Sequence, residues 1–187
     1  MSIEVAAQKF LFPPPNAGFR STKVGGFLNS KEWAETTVSF SHNHLHDLES
    51  LWWVAVWVVF YNNFSEGTPS RDRPSFTRQN AEDQLNLAQV LFPHALKNTD
   101  RLDAFQAPTS FQDACRKLSG DKMDICHGLE VLRQLLVSHY MVIEAGFPLS
   151  VDPNSSKDDI YDDFTEVFST LKTITHGLVL DFIPQPT

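Results

Sequence analysis

The apolar run Leu51-Trp52-Trp53-Val54-Ala55-Val56-Trp57-Val58-Val59-Phe60-Tyr61 dominates the hydropathy pattern of the chain. No polar position breaks it, so no solvent face is marked out. A helix of this kind is enclosed by its neighbours rather than laid on a surface. The pattern predicts a buried central helix from about Asp47 to Asn62. Asp47 is the expected cap, because its carboxylate can accept a first-turn amide and favours the positive end of the helix dipole. Asn62 and Asn63 suit the exit.

Elsewhere polar and apolar positions alternate with a helical period. Ala81, Leu85, Ala88 and Leu91 or Phe92 share one face and predict a helix over 79–91, interrupted by Pro93. Residues 110–118 read as a short helix. From Asp121 or Lys122 to Glu144 a long amphipathic pattern carries Ile125, Leu129, Leu132, Leu136, Tyr140 and Ile143, and Gly146 and Pro148 end it. Ser156-Lys157-Asp158-Asp159 resembles a capping box. It opens a last helix with Ile160, Phe164, Val167, Phe168 and Leu171, which Gly177 can close.

The segments between are less regular. Residues 3–12 suit a short helix stopped by Pro13-Pro14-Pro15, since proline removes a donor and clashes with the preceding turn. Residues 13–32 read as loop, as do residues 64–77. Thr36-Thr37-Val38-Ser39-Phe40 has strand-like composition without an evident partner. Residues 178–187, ending Pro184-Gln185-Pro186-Thr187, are expected to fray. The fold class is therefore mainly α, with one domain over 1–177 and a tail over 178–187.

Composition narrows the function classes. The chain has 187 residues, which suits one domain, and a formal net charge of -8. Nucleic-acid binding is disfavoured, because phosphate recognition needs clustered Lys and Arg. Arg71, Arg73 and Arg78 form the one local basic cluster, and Glu66, Asp72, Glu82 and Asp83 surround it. The apolar run is short of the roughly 20 residues that cross a bilayer, so no membrane partner is expected. Met1-Ser2-Ile3-Glu4-Val5-Ala6 has no basic-then-apolar leader pattern. The expected setting is intracellular, cytoplasmic or nuclear.

Several residue clusters could carry chemistry. His42, His44 and His46 alternate, and on an extended segment they would face one side and could hold zinc or nickel. No cysteine or second histidine pair with fitting spacing completes that set. Cys126 and His127 are adjacent, but on a helix they point about 100° apart and cannot serve as nucleophile and base. Cys115 and Cys126 suit two reduced core thiols better than a disulfide framework. Asp158, Asp159, Asp162 and Asp163 suit a solvated helix start.

The segment His46-Asp47-Leu48-Glu49-Ser50-Leu51-Trp52-Trp53, with Trp57 beyond it, resembles the fungal-type protein kinases. Met1-Ser2-Ile3-Glu4-Val5 is similar to that family's form of the Ala-Pro-Glu motif, which closes the activation segment. The resemblance implies that residues 47–62 are the central helix of a kinase C-terminal lobe and that the chain is the later half of that lobe. It assigns structural places to Glu4, Asp47, Glu49 and Trp57. Asp47 would support the catalytic loop, and Glu4 would pair with a buried arginine, for which Arg116 and Arg133 are the candidates.

The phosphoryl-transfer motifs have no counterpart in the sequence. That chemistry needs a Gly-rich loop, a strand lysine, a His-Arg-Asp loop and an Asp-Phe-Gly. Asp163-Phe164 continues into Thr165, Asp181-Phe182 continues into Ile183, and both follow the central helix instead of preceding it. The resemblance thus implies a truncated Ser/Thr protein kinase that is inactive alone, with no catalytic residue. ATP and magnesium would belong only to a complete family member. Two other readings stand beside it. One is a pseudokinase-like module that binds a protein partner or itself through the central-helix face. The other is a small helical metal-binding protein using His42, His44 and His46.

Overall fold

The computed structural model describes residue 3 and residues 42–66, 78–93, 99–118, 122–145 and 155–183. Within these, six helices and a two-stranded ribbon follow in order. They are α1 (His44–Tyr61), β1 (Asn62–Glu66), α2 (Arg78–Leu91), α3 (Thr99–Gln106), α4 (Pro108–Arg116), α5 (Met123–Ala145), α6 (Ser155–Ile174) and β2 (Leu178–Phe182). The protein is mainly helical, as the pattern predicts. The expected helix over 3–12 and the strand-like residues 36–40 lie outside the described residues.

α1 is the organising element. It packs against α5 and α2, while α4 and α6 pack on α5. Leu45, Trp52, Trp53, Val56, Val59 and Phe60 are buried along it. The Trp52 ring meets Trp53 at 4.5 Å, Phe111 of α4 at 5.1 Å and Phe105 of α3 at 5.6 Å between centroids. Its indole N–H donates to the Leu129 carbonyl of α5 at 2.7 Å, so the buried ring keeps no unmet donor. Leu129, Leu132, Leu136 and Tyr140 face back from α5 with no exposure, as their spacing predicts.

The start of α1 differs from expectation. Asp47 is not the cap. The helix begins three residues earlier, at His44, with Asn43 as N-cap. The Asn43 side-chain oxygen accepts from Leu45 N at 2.9 Å, and Asn43 N donates to His46 Nδ1 at 2.8 Å. This is a reciprocal capping box with histidine in the place usually held by Glu or Gln. Asp47 stays in the first turn, where the dipole favours it, but its side chain is exposed.

The far end of α1 is closed by a buried polar group from α2. Gln84 Nε2 donates to the carbonyls of Phe60 at 2.9 Å and Asn62 at 3.1 Å, which helix geometry leaves without partners. Gln84 Oε1 accepts from Lys122 Nζ at 2.6 Å, and Lys122 also donates to Asn63 Oδ1 at 3.1 Å. A lysine ammonium buried here lies beside the negative end of the α1 dipole.

Two further expectations need correction. Residues 178–182, assigned to a fraying tail, form β2 and pair antiparallel with β1, Phe64 opposite Leu180. Ile183 is buried and its N–H donates to Tyr61 O at 3.1 Å, which ties the tail to the end of α1. The start of the expected loop over 64–77 likewise belongs to β1. Gly177 precedes β2 with φ 83°, a left-handed turn that glycine adopts without strain, so the predicted stop is where the sequence placed it.

Candidate functional site

Ile3 and Trp53, one from each stretch that carries the family resemblance, meet at the Glu49 carboxylate. Glu49 is fully buried on α1. Its Oε1 accepts from Ile3 N at 2.7 Å and from Trp53 Nε1 at 3.0 Å, and its Oε2 accepts from Tyr140 OH of α5 at 2.9 Å. Glu49 and Trp53 are four apart on one helix face, which brings carboxylate and indole together. Burial pushes the Glu49 carboxyl above its ordinary value, while the three hydrogen bonds and the charge of Arg101 work against that rise.

Arg101, on α3, lies 4.2 Å over the Trp53 ring and 5.5 Å from the Phe92 ring centroid. The guanidinium faces the negative side of both π systems and adds charge compensation beside Glu49. Burial draws its pKa down from the ordinary arginine value, and Glu49 holds it up. Ile3, Glu49, Trp53, Arg101 and Tyr140 thus form one node linking the chain start, α1, α3 and α5. Its acceptors are already occupied by protein donors, so the geometry suits an anchor and not an acid or base that meets substrate.

Asp47 and Trp57, also marked by the resemblance, are exposed on α1 and are not part of this node. Glu4 lies outside the described residues, although its neighbour Ile3 is in the node. Neither arginine proposed for Glu4 is idle. Arg133 makes a two-pronged ion pair with Glu130, both contacts at 2.7 Å, and donates to Phe105 O at 2.6 Å. Arg116 pairs with Asp113 at 2.7 Å on the surface. Burial raises the Glu130 carboxyl, but hydrogen bonds from Arg133, Gln134 and Gln112 outweigh it and hold the group below its ordinary value. Asp47 lies 3.6 Å from His42 Nε2 at the surface.

Trp57 is on the exposed side of α1, with its ring 5.4 Å from Tyr61. Leu51 at 47%, Val54 at 56% and Trp57 at 41% exposure form an apolar stripe along a helix expected to be covered all round. Leu51, Val54 and Trp57 are each three positions apart, so they fall on one side of the middle of α1.

The histidine cluster does not have the geometry that metal binding required. His44 and His46 are helical, so their side chains diverge instead of sharing one side of an extended segment. His46 is buried, its Nδ1 is used in the cap, and the His44 ring lies 6.1 Å from the Tyr161 ring. Among the described residues, no three His, Cys, Asp or Glu are grouped to hold a metal ion. Cys115 and Cys126 are free, buried thiols, while the adjacent His127 is exposed. The neighbouring Cys126 and burial together push the Cys115 thiol up, far from a reactive thiolate.

Sequence reasoning missed Tyr140 and Arg101 as members of the node. In the sequence Tyr140 is one position of an apolar face, and Arg101 sits in a stretch with no predicted helix. The four-residue spacing of Glu49 and Trp53 was the available signal. No protein-family model, curated relative or solved structure matches this chain. Among the described residues no helix is long and apolar enough to cross a membrane.

Proposed function

We propose that these residues are the later part of the C-terminal lobe of a fungal-type protein kinase and act as scaffold, not as catalyst. The observation that carries this reading is the 2.7 Å bond from Ile3 N to Glu49 Oε1. It joins the two stretches that resemble the family, which are 46 positions apart in sequence. In such an enzyme α1 would be the central helix of the lobe, and Glu49 would hold the end of the activation segment against it. In-line transfer of the ATP γ-phosphate to a protein Ser or Thr, with magnesium and a catalytic Asp, would be the work of the complete enzyme. The chain itself would neither bind ATP nor transfer phosphate. Incubating it with magnesium and labelled ATP tests this. No bound nucleotide and no labelled protein are expected, and stoichiometric ATP binding would overturn the scaffold reading.

A second reading, a pseudokinase-like module that docks another protein, is favoured by the exposed stripe Leu51, Val54 and Trp57. A contiguous apolar patch on the order of a few hundred Å² is where proteins recruit partners. Leu51→Lys and Val54→Lys should leave stability within about 1 kcal/mol of the parent, because both side chains are about half exposed. They should lower retention of partner proteins in a pull-down. Unchanged retention would remove the stripe from the binding surface.

A further inference from the structure

Among the described residues no strand pairs with the outer edge of β2, and the pattern along that edge is self-complementary. Among the described residues the sheet has two strands, β1 and β2, and their register is continuous from Asn62↔Phe182 to Glu66↔Leu178. Ile183 N donates to Tyr61 O, which fixes the alternation of the ladder. Counting back in twos, Asp181 and Val179 turn their backbone groups toward β1. Leu178, Leu180 and Phe182 turn theirs away from it. Leu178 N is satisfied by Thr175 O at 3.0 Å. The amides of Leu180 and Phe182 and the carbonyls of Leu178 and Leu180 are left along the outer edge.

The side chains follow the same alternation. Leu178, Leu180 and Phe182 share one face of the ribbon, and Val179 and Asp181 share the other. Leu180, Phe182 and Val179 are each about half exposed. Natural edge strands are guarded by lysine, proline or a bulge. β2 has no lysine, proline or bulge, and its one charge, Asp181, lies on the face opposite Leu180. A ribbon of two strands is also marginal in water and gains from a third.

We propose that β2 pairs antiparallel with β2 of a second copy, about a two-fold axis at Leu180, making a four-stranded sheet in the order β1-β2-β2-β1. In this register Leu180 faces Leu180 of the second copy, and their amides and carbonyls bond reciprocally. Phe182 N meets the Leu178 carbonyl of the other copy, and the symmetric bond follows. Leu178, Leu180 and Phe182 from both copies join into one apolar face. Asp181 falls opposite Val179 of the other copy, so the strands do not set carboxylate against carboxylate despite a chain charge of -8. A two-fold contact of this kind uses the same surface on both subunits, which an antiparallel strand pair provides directly. Pairing along this edge covers less than the roughly 800 Å² per partner of tight complexes, so the dimer is concentration-dependent.

Sedimentation equilibrium of the full chain, from low micromolar to near-millimolar concentration, tests this. The average mass should rise from 21.2 kDa toward twice that value. Leu180→Lys should abolish the rise, because it sets two ammonium groups opposite each other across the axis, while leaving the circular dichroism spectrum unchanged, because the Leu180 side chain is about half exposed. Leu180→Cys provides a second route that does not depend on the lysine variant folding. Mild oxidation should link it to itself across the two-fold axis, faster than Val179→Cys, whose position does not face itself. Cys115 and Cys126 are buried and do not compete. A mass of 21.2 kDa at every concentration overturns the proposal. So does a dimer that survives Leu180→Lys, or equal crosslinking at positions 179 and 180.

Discussion

Replacing Glu49 with alanine removes the acceptor shared by Ile3 N, Trp53 Nε1 and Tyr140 OH. Trp53 and Tyr140 are almost wholly enclosed, so their donors cannot turn to water. Each buried donor left unmet costs about 1–3 kcal/mol. The Ile3 amide is only partly buried and recovers a water, and Arg101 loses a nearby countercharge. Removing a carboxylate whose charged form burial disfavours returns part of the loss. The expected net cost is about 3–5 kcal/mol, a large share of the 5–15 kcal/mol typical of a domain. Glu49→Gln keeps one acceptor oxygen, and its amide can donate to a reoriented Tyr140 hydroxyl, so about 1 kcal/mol is expected. Urea unfolding followed by tryptophan fluorescence would read both as shifts in midpoint at constant slope. An alanine variant within about 1 kcal/mol of the parent, or a glutamine variant as costly as alanine, would refute the anchor role. The pH dependence has a definite sign. Burial raises the folded Glu49 carboxyl above 4.5, so its contribution is fully present below pH 4.5 and is lost as pH rises through the folded value. Glu49→Gln should therefore cost more near pH 4 than near neutrality, both pH values being approximate settings on either side of that window.

Gln84→Ala should destabilise by about 2–3 kcal/mol, because it strips the carbonyls of Phe60 and Asn62 of a buried donor and deprives Lys122 of an acceptor. A cost under about 0.5 kcal/mol would show that the end of α1 is satisfied without it. Arg133→Ala should cost about 3–5 kcal/mol by leaving Glu130 buried beside no guanidinium. Glu130 is held below 4.5, so its contribution is present above that value and fades as pH falls through the lower folded value. A urea series at acid and neutral pH should show the Arg133→Ala deficit shrinking in acid, and a constant deficit would contradict the pairing.

The elements that the sequence revealed are those whose signal is local. α2 and α5 match their predicted spans closely because Leu85 and Ala88, or Leu129, Leu132 and Leu136, repeat on one face. α1 was visible from its apolar run, but its start was misplaced by three residues. Asn43 with His46 is not the usual Ser/Thr-x-x-Glu signature, and Asp47 offered a more familiar cap. α3 was missed because eight residues with Ala104 and Phe105 as the buried pair barely establish a period. β1 was missed because Asn62-Asn63 argues against a strand, and its partner lies over a hundred positions away. At the Glu49 node the motif marked the carboxylate, yet Ile3 and Tyr140 reach it only through tertiary packing. A helix apolar on every side also gives no sign of which face stays open, so the stripe at Leu51, Val54 and Trp57 had to be seen in the fold.

The family assignment is the central claim, and the transcript upstream of Met1 tests it most directly. The proposal predicts an in-frame extension with Gly-Thr and an aromatic just before Met1, and with Asp-Phe-Gly and His-Arg-Asp further upstream. An in-frame extension without those motifs would contradict it.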